Sequence, residues 1–426
     1  MDMHKRRKNF METSINKSKE LLKSVDHGHV SDIRMSEVNK DLVASIKEKL
    51  EAITSLKSIF RVPRKLLQAN QKVYVPTKVS IGPLHHGKEN LKDMQDHKWH
   101  YLYTLLSREP NMEASLHECL KALRESEKTA RNFYAEELNL TSDEFVEIML
   151  LDGCFIIELL LKYAMKSVRR LADPIFATPR LLYDIRCDLI LLENQIPLII
   201  LQRLFEIVPI PVKCNRTLPE LAIFFFRNML PGDRECVTMR FGQEGNHLLD
   251  LFQQCYLPTY ARAQSKKLPT VEDLKYICAT KLRKYGIKLM RFTAKSLLDI
   301  DFHNGVLEIA PLITHQFTEI LFSNLIALEQ HQKDVQPFTS YAFLMKNIIS
   351  DENDAKLVRH LRIVASEKGT EKNVCDLFKG LCEGVEYAAE KFYFAGLHEQ
   401  ITEYNTNRRS WWKKVKSNCL KTCTCT

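Results

Sequence analysis

The chain has 426 residues, of which 45% are hydrophobic and 27% charged, proportions that are ordinary for a soluble globular protein. Only 13 glycines are present, and neither a G-x-x-x-x-G-K-[ST] nor a G-x-G-x-x-G motif occurs, which argues against nucleotide binding. The formal net charge of +9 is concentrated at the two ends and is not interleaved with aromatic residues, so nucleic-acid binding is also disfavoured.

In chain order, residues 1–33 are charged and polar, and we expect a mobile leader there. Residues 34–404 are expected to form a helical body, and residues 405–426 a basic tail. Apolar residues at helical spacing predict helices over Met35–Lys57, Leu91–Arg108, Met112–Tyr134, Ser142–Lys166, Leu181–Asn194, Pro197–Glu206, Leu218–Met229, Leu268–Tyr285, Thr314–Gln330, Tyr341–Ser350 and Lys372–Phe394. The fold class is therefore mainly α, a multi-helix globular body whose length leaves room for two packed lobes.

A small β-hairpin is expected within residues 298–310. Asn304-Gly305 is the favoured residue pair for a two-residue type I′ turn. Extended outwards, this turn gives the register His303–Val306, Phe302–Leu307, Asp301–Glu308 and Ile300–Ile309. The apolar pairs then share one face of the hairpin, and the two carboxylates share the other.

A proline-rich segment, Ile59–Gly87, separates the first predicted helices and reads IFRVPRKLLQANQKVYVPTKVSIGPLHHG. We call it the signature loop. Each of Pro63, Pro76 and Pro83 removes a backbone donor and restricts the residue before it, so no helix is expected to run through the loop.

This loop resembles the opening signature of a plant family known as domain of unknown function 247. Further segments fit the same family in the same order: Glu144–Glu158, Asp188–Pro197, Asp299–Pro311 and Asn324–Gln330. The resemblance covers roughly Lys57 to Trp412. It implies a role in recognition or signalling, since some relatives are associated with pollen–stigma self-incompatibility and others with growth or stress responses. It implies no reaction.

The predicted helix Ser142–Lys166 carries the most informative polar residues. Thr141 and Glu144 have the spacing of a capping box, which marks its start. Glu144, Glu147, Glu158 and Lys162 fall in one narrow polar sector of the helix. Asp152 instead falls in the middle of the apolar arc, so we expect it to be buried. The neighbouring Gly153 suggests that the backbone of another segment packs closely there.

A buried carboxylate must be paired, hydrogen-bonded or protonated. The residues predicted to form a polar network with Asp152 are Glu193, Asn194, Gln195, Asn324, Glu329 and Gln330. One interpretation is catalytic, with Asp152 as general base. The interpretation we favour is structural: the network fixes helix packing and the geometry of junctions, and Glu193-Asn194-Gln195 caps the helix that begins near Pro197.

Four histidines raise the question of a metal site. His85 and His86 end the signature loop, and His97 and His100 lie one turn apart on the next predicted helix. Charged residues, including Lys98, surround the second pair, which is typical of a solvated helix surface. Without a cysteine or carboxylate at a diagnostic interval, no metal or other cofactor is predicted. No G-x-S-x-G motif indicates a hydrolase.

The tail differs from what the resemblance implies, because such proteins usually continue into an apolar membrane-spanning helix. Here the residues predicted to contact an anionic membrane surface are Trp411, Trp412, Lys413, Lys414 and Lys416. Cys419, Cys423 and Cys425 are candidate lipidation sites. The alternatives are a chance tail and a truncated product.

The sequence therefore predicts a non-enzymatic recognition or signalling protein with an unknown protein partner, at the plasma membrane as the resemblance implies. In the absence of a membrane span, a cytoplasmic location is the alternative. Two other functions remain open: a cryptic enzyme that uses the buried carboxylates, and a soluble competitor of membrane-anchored relatives.

Overall fold

A computed structural model describes residues 57–169, 173–230, 245–257, 268–274, 277–294, 296–332, 335–366 and 370–406. The predicted leader, the predicted helix Met35–Lys57 apart from its last residue, and the Trp, Lys and Cys residues of the tail lie outside these ranges. In the described part of the chain the fold is mainly α-helical with small sheets, as predicted.

The helices are α1 (Arg64–Asn70), α2 (Asp93–Leu106), α3 (Met112–Arg131), α4 (Ser142–Ala164), α5 (Pro174–Ala177), α6 (Pro179–Asp188), α7 (Leu198–Ile207), α8 (Leu218–Phe226), α9 (Leu248–Tyr256), α10 (Val271–Leu274), α11 (Ala279–Lys284), α12 (Thr318–His331), α13 (Pro337–Ile348), α14 (Glu352–His360) and α15 (Glu371–Leu381). Residues 395–406 are also helical. Short 3₁₀ turns cover Gln71–Val73, Pro83–His85, Glu89–Leu91, Lys166–Val168 and Ala389–Lys391.

Some predicted boundaries are wrong, for local reasons. The helix predicted over Leu181–Asn194 ends at Asp188, because the side chains of Asn194 and Gln195 bind backbone carbonyls of the turn that follows. In the signature loop no helix crosses a proline, as predicted, but α1 begins directly after Pro63, where that residue removes no helical hydrogen bond.

Helix α4 is the centre of the helical packing. It begins with the predicted capping box of Thr141 and Glu144. It packs against α2, α3, α7 and α8. Because neighbours surround it, α4 is buried on all sides along most of its length, and a Cβ on Gly153 would overlap Leu204 of α7. Close packing at Gly153 is thus observed, but the prediction that a neighbouring backbone packs there is wrong, because the three nearest atoms are side-chain carbons of Leu204, Ile196 and Ile200.

The predicted hairpin is confirmed, and its residue pairs have the predicted register. Strands β2 (Ile300–His303) and β3 (Val306–Ile309) pair antiparallel, with Ile300 opposite Ile309 and His303 opposite Val306. Asn304 and Gly305 have φ of 50° and 79°, as a type I′ turn requires. Two features were not predicted: β1 (Lys288–Arg291) adds parallel to β3, and β4 (Leu312–Thr314) pairs parallel with β5 (Val364–Ser366).

Nearly all buried apolar side chains of the described residues form one contiguous cluster, from Ile59 to Ile401. The signature loop enters this cluster and lies against the turn between α6 and α7. That contact places the polar residues that the sequence singled out.

Candidate functional site

Asp152 lies at the contact between α4 and the signature loop, and it is 1% exposed. Its Oδ1 accepts from Lys98 Nζ at 2.5 Å, and its Oδ2 accepts from the Gly82 N–H at 2.7 Å. The same Lys98 ammonium donates to the Ser80 carbonyl. One buried ion pair thus joins α2, α4 and the loop.

The prediction that Lys98 lies on a solvated helix surface is wrong. The residue is 1% exposed and projects from the buried face of α2. On this helix the buried residues Met94, Lys98, Tyr101, Leu102 and Leu105 recur at helical spacing, whereas Asp93 and Asp96 are exposed. That spacing was the signal that Lys98 belongs to the core face.

Glu193 binds the start of the signature loop. Its Oε1 accepts from the Val62 N–H at 2.7 Å, and its Oε2 accepts from Arg61 Nη1 at 2.9 Å. His85 Nε2 lies 3.5 Å from Oε2. The carboxylate is therefore engaged by one backbone donor and one cation, an arrangement that fixes the loop's entry.

Asp188 and Asn194 bind the middle of the loop through its backbone. Asp188 accepts from three consecutive N–H groups, those of residues 77–79, at 2.7–3.0 Å. Asn194 Oδ1 accepts from the Ile81 N–H, and its Nδ2 donates to the Val79 and Asp188 carbonyls. Burial raises the pKa of Asp188 to about 6, against the effect of its backbone donors. From the sequence, Asp188 was noted only as the first residue of a segment that resembles the family, and its binding to the loop backbone was not predicted.

Gln195 and Asn324 hold the turn itself. Gln195 Nε2 donates to the Leu189 and Leu191 carbonyls, and its Oε1 accepts from the Leu249 N–H. Asn324 Oδ1 accepts from the Leu192 N–H, while its Nδ2 donates to the Val73 carbonyl. The polar side chains predicted at this junction thus form hydrogen bonds to backbone of three parts of the chain: the signature loop, the turn between α6 and α7, and the first turn of α9.

Glu329, near the end of α12, caps the next helix. Its Oε1 accepts from the Phe338 N–H at 2.8 Å, and its Oε2 accepts from the Thr339 N–H and hydroxyl. These are N–H groups of the first turn of α13, which have no partner within that helix. Gln330 is half-buried, and its Nε2 donates to the Thr339 hydroxyl at 3.4 Å. Among the described residues, Asp152 is bound by Lys98 and by the Gly82 N–H, and by none of the six residues predicted to form a network with it. Four of those six bind backbone at the signature loop and the turn between α6 and α7, and the other two contact the start of α13.

A second buried charge cluster was not predicted. Glu158 and Lys162, assigned from the sequence to a polar sector of α4, are 0% exposed. Arg108 pairs with Glu158 at 2.7 Å, and Lys162 pairs with Asp173 at 2.8 Å. The Lys162 ammonium also lies 3.7 Å from the centre of the Tyr101 ring. Glu158 and Lys162 have no solvent to face, because helices pack around this part of α4, whereas Glu144 and Glu147 of the same sector are exposed.

The histidines do not form a metal site in the described residues. His85 is buried, whereas His86 is exposed. Across the described ranges, no group of three or more His, Cys, Asp or Glu side chains is arranged to hold a metal ion.

The structure also shows a concave apolar surface that the sequence analysis missed. We call it the α2–α4 groove. It has a volume of about 510 Å³ and is lined by Trp99, Leu102, Tyr103 and Leu106 of α2, Met112, Leu116, Leu120 and Arg124 of α3, and Asp143, Val146, Glu147 and Leu150 of α4. Trp99 and Tyr103 are 47% and 56% exposed. The available signal was the spacing of Met112, Leu116 and Leu120, which form a second apolar stripe beside the buried face of α3.

Comparison with known proteins decides the family. The family described as "Plant protein of unknown function", DUF247, matches residues 59–425. The chain belongs to the DUF247 family. The UPF0481 protein At3g47200 of Arabidopsis thaliana is 30% identical over 83% of this chain and 78% of its own length. The putative UPF0481 protein At3g02645 of the same plant is 23% identical over 88% of this chain and 86% of its own length. No solved structure matches the chain.

The predicted resemblance is thereby confirmed, and the structure gives the family segments a physical role. The signature loop meets Glu144–Glu158 through Asp152, Asp188–Pro197 through Glu193, and Asn324–Gln330 through Asn324. Among the described residues of this DUF247 protein, none of the helices is long and apolar enough to cross a membrane.

The buried carboxyl of Glu329 makes stability depend on pH. Burial raises its pKa to about 7, although the Thr339 and Phe338 N–H groups favour the charged form. The unfolded value is about 4.3. The folded state therefore binds the extra proton between these values, and this contribution to the free energy of unfolding falls as pH rises through that window.

Glu329→Gln lacks this titration. We expect the wild-type minus variant difference in the free energy of unfolding to fall by up to about 1.4 kcal/mol per pH unit between roughly pH 4 and 7. Urea titrations at several pH values measure it. A difference that stays level or increases with pH contradicts the raised pKa.

Proposed function

We propose that this DUF247 protein is a non-enzymatic recognition or signalling component that works by binding another protein, at or near the plasma membrane. The buried carboxylates support a non-catalytic role. Asp152, Glu193 and Glu329 each accept from donors of the protein itself, and none is more than 6% exposed. A general base needs to reach a substrate proton, and these groups face backbone and cations instead.

The observation that carries the binding role is the α2–α4 groove. It exposes large apolar side chains from two helices, among them Trp99, Tyr103 and Met112. Contiguous exposed apolar surface is typical of protein interaction sites. Tryptophan and tyrosine in such positions contribute strongly to binding, because they bury large areas with few rotatable bonds.

The charges at the groove define the partner's chemistry. Arg124 is engaged by Asp143 and Ser142. Glu147 has no hydrogen-bond or ion-pair partner among the described residues, and its side chain lines the groove. The charge at the groove that is left without a partner among the described residues is therefore the negative charge of Glu147. The partner that fits is a protein segment that presents apolar side chains with a lysine or arginine beside them.

Proximity labelling in plant tissue tests the proposal. We expect Tyr103→Asp to reduce the labelling of groove-dependent neighbours roughly tenfold or more, because it places a charge in an apolar contact. Glu147→Lys is expected to act in the same direction. Val212→Ala is the matched control, since Val212 is 99% exposed and lies outside the groove. Neighbour sets that are the same for all three variants contradict a groove-mediated function.

A second arm of this experiment addresses location. The membrane-contact residues predicted in the tail lie outside the described part of the chain, so the proposal rests on their Trp and Lys composition. A chain that ends at Tyr404 is expected to lose plasma-membrane neighbours and to retain groove-dependent ones. If the shortened chain retains both the plasma-membrane neighbours and the groove-dependent neighbours, the tail plays no part in location, and the proposal rests on the groove alone.

A further inference from the structure

Arginine side chains and aromatic rings alternate where the end of α4 packs against α8. Arg216 Cζ lies 4.3 Å from the centre of the Phe224 ring, and Arg227 Cζ lies 4.7 Å from the same centre. Arg227 Cζ is also 6.0 Å from the centre of the Tyr163 ring, and Arg186 Cζ is 4.7 Å from it. These residues are far apart in the sequence, and the fold brings them together. We call the three cations and two rings the arginine patch.

The two outer arginines of the patch are exposed and close together. Arg216 lies just before α8 and Arg227 directly follows it. Because both guanidinium groups contact the Phe224 ring, their Cζ atoms are no further apart than the two distances to that ring added together. One ligand can therefore reach both cations.

No carboxylate neutralises these two cations among the residues that the structure describes. Neither Arg216 nor Arg227 forms an ion pair or donates a side-chain hydrogen bond there. The Thr217 N–H and hydroxyl lower the pKa of Glu220, and the charge of Arg216 adds to that effect. The Glu220 carboxylate is nevertheless occupied at the start of α8, where it accepts from the Thr217 N–H and hydroxyl. The patch thus keeps a positive charge.

Arg186 is the inner cation of the patch and is not itself a ligand contact. Its Nε and Nη2 are buried and have no hydrogen-bond partner within the described ranges. Burial lowers the pKa of Arg186; Tyr163 opposes that effect, and the charge of Arg227 adds to it. Like charges at this distance repel one another. An anion bound at Arg227 would relieve that repulsion.

The arrangement of the outer arginines suits a chain with several oxyanion groups. A guanidinium that lies over a ring is held by its face and keeps the N–H groups of its edge for the two oxygens of a carboxylate or phosphate. In an extended segment, alternate side chains point to the same side and are about 7 Å apart. That spacing fits within the largest separation that the Phe224 contacts allow between Arg216 and Arg227.

We propose that the arginine patch is a docking surface for an acidic segment of another protein, whose carboxylate or phosphorylated side chains pair with Arg216 and Arg227. Acidic and phosphorylated segments are commonly recognised by arginine clusters of this kind. A bilayer fits less well, because Tyr163 and Phe224 are half-buried and the patch presents guanidinium edges, whereas a bilayer surface is entered by protruding apolar side chains.

The patch is separate from the α2–α4 groove. Glu147 of the groove lies near the start of α4 and Tyr163 near its end, about 24 Å further along the axis at 1.5 Å per residue. The two surfaces also differ in charge, since Glu147 is the unpaired charge at the groove. An acidic segment is therefore not the partner proposed for the groove, and this proposal does not depend on that partner.

Fluorescence anisotropy of labelled peptides with the full chain tests the patch. One short peptide alternates glutamate with glycine, and a second has glutamine in place of each glutamate. We expect saturable binding of the glutamate peptide that weakens as salt is added, and binding of the glutamine peptide at least about tenfold weaker. Arg227→Gln should weaken the glutamate peptide about tenfold, through the loss of one charge-assisted hydrogen bond. Arg283→Gln removes the same charge from an exposed position on α11 and should bind as the wild type does.

Two further variants separate the geometry of the patch from its charge. Arg227→Lys keeps the charge but loses the planar edge donors, so its affinity should lie between those of the wild type and Arg227→Gln. Phe224→Leu keeps every charge but removes the ring that both guanidinium groups contact, and it should weaken binding about threefold. Thermal melting without peptide shows that each variant is folded.

A third peptide, with phosphoserine in place of glutamate, distinguishes the two sources of the oxyanion. Tighter binding than that of the glutamate peptide, lost in Arg227→Gln, identifies a phosphorylated segment as the better ligand. Equal or weaker binding identifies a segment rich in aspartate or glutamate.

Three results overturn the proposal. The first is the absence of saturable binding of the glutamate and phosphoserine peptides up to about 1 mM. The second is equal affinity of Arg227→Gln and Arg283→Gln for these peptides, which places any binding outside the patch. The third is binding to phosphatidylserine vesicles or oligothymidylate that Arg227→Gln abolishes, without peptide binding, since it assigns the patch to another class of partner.

Discussion

Asp152→Ala is expected to lower the free energy of unfolding by about 3–5 kcal/mol. The substitution leaves the Lys98 ammonium buried without an anion and removes the acceptor of the Gly82 N–H. Lys98→Met should cost a similar amount, because it leaves the carboxylate without its cation. The double variant Lys98→Met/Asp152→Asn has no buried charge here and keeps an acceptor for Gly82. Its cost should be smaller than the sum of Lys98→Met and Asp152→Asn by more than about 1 kcal/mol.

Urea unfolding of the four proteins in this cycle, with Asp152→Ala alongside, measures these energies. Glu147→Gln is the control, since it neutralises an exposed carboxylate on the same helix and should change stability by less than about 0.5 kcal/mol. The result separates the two interpretations of Asp152. A carboxylate kept for catalysis often costs stability, so its removal stabilises the fold. An Asp152→Asn variant that unfolds at the same urea concentration as the wild type, or at a higher one, contradicts the structural role.

Local patterns in the sequence were sufficient for the central helix and the hairpin. The position of Asp152 in an apolar arc predicted its burial, and the structure confirms it. Asn304-Gly305 predicted a register that is observed pair by pair. In both cases the decisive interactions are between residues close in sequence, where helical or strand periodicity determines which side chains share a face.

The partners of the buried groups were not predictable in the same way. Lys98 was assigned to solvent because charged residues flank it, although its spacing from Met94 and Tyr101 matches the buried face of α2. Glu193 was expected to cap the following helix, but it binds the Val62 N–H instead. That partner lies far away in the sequence, and only the tertiary fold determines which backbone donors reach a given carboxylate.

The α2–α4 groove was missed for a different reason. It depends on exposed residues, and the exposure of an apolar side chain follows from which helix faces lack a neighbour. The sequence shows that α3 has two apolar stripes, but not that only the one with Cys119 and Leu123 is covered. Similarly, His85 and His86 are adjacent, yet one supports Lys88 from the interior and the other is exposed.

Gly82→Ala is the second substitution expected to have a large effect. Gly82 has φ of 73° and ψ of −175°, a region that is nearly restricted to glycine and costs other residues about 1–3 kcal/mol. A Cβ at this position would also overlap the backbone carbonyl oxygen of Gln195, which already accepts from the Tyr134 hydroxyl. Since backbone cannot move aside as a flexible side chain can, the loop must shift away from the turn.

That shift would pull the Gly82 N–H from Asp152 and weaken the ion pair with Lys98. We therefore expect Gly82→Ala to lower the free energy of unfolding by about 3 kcal/mol or more. Gly87→Ala is the matched control: its φ is 76°, but its Cβ would meet nothing, so only the backbone cost of about 1–2 kcal/mol applies. Urea unfolding of both variants measures the difference. Equal losses would show that the contact between Gly82 and Gln195 does not hold the signature loop against the turn.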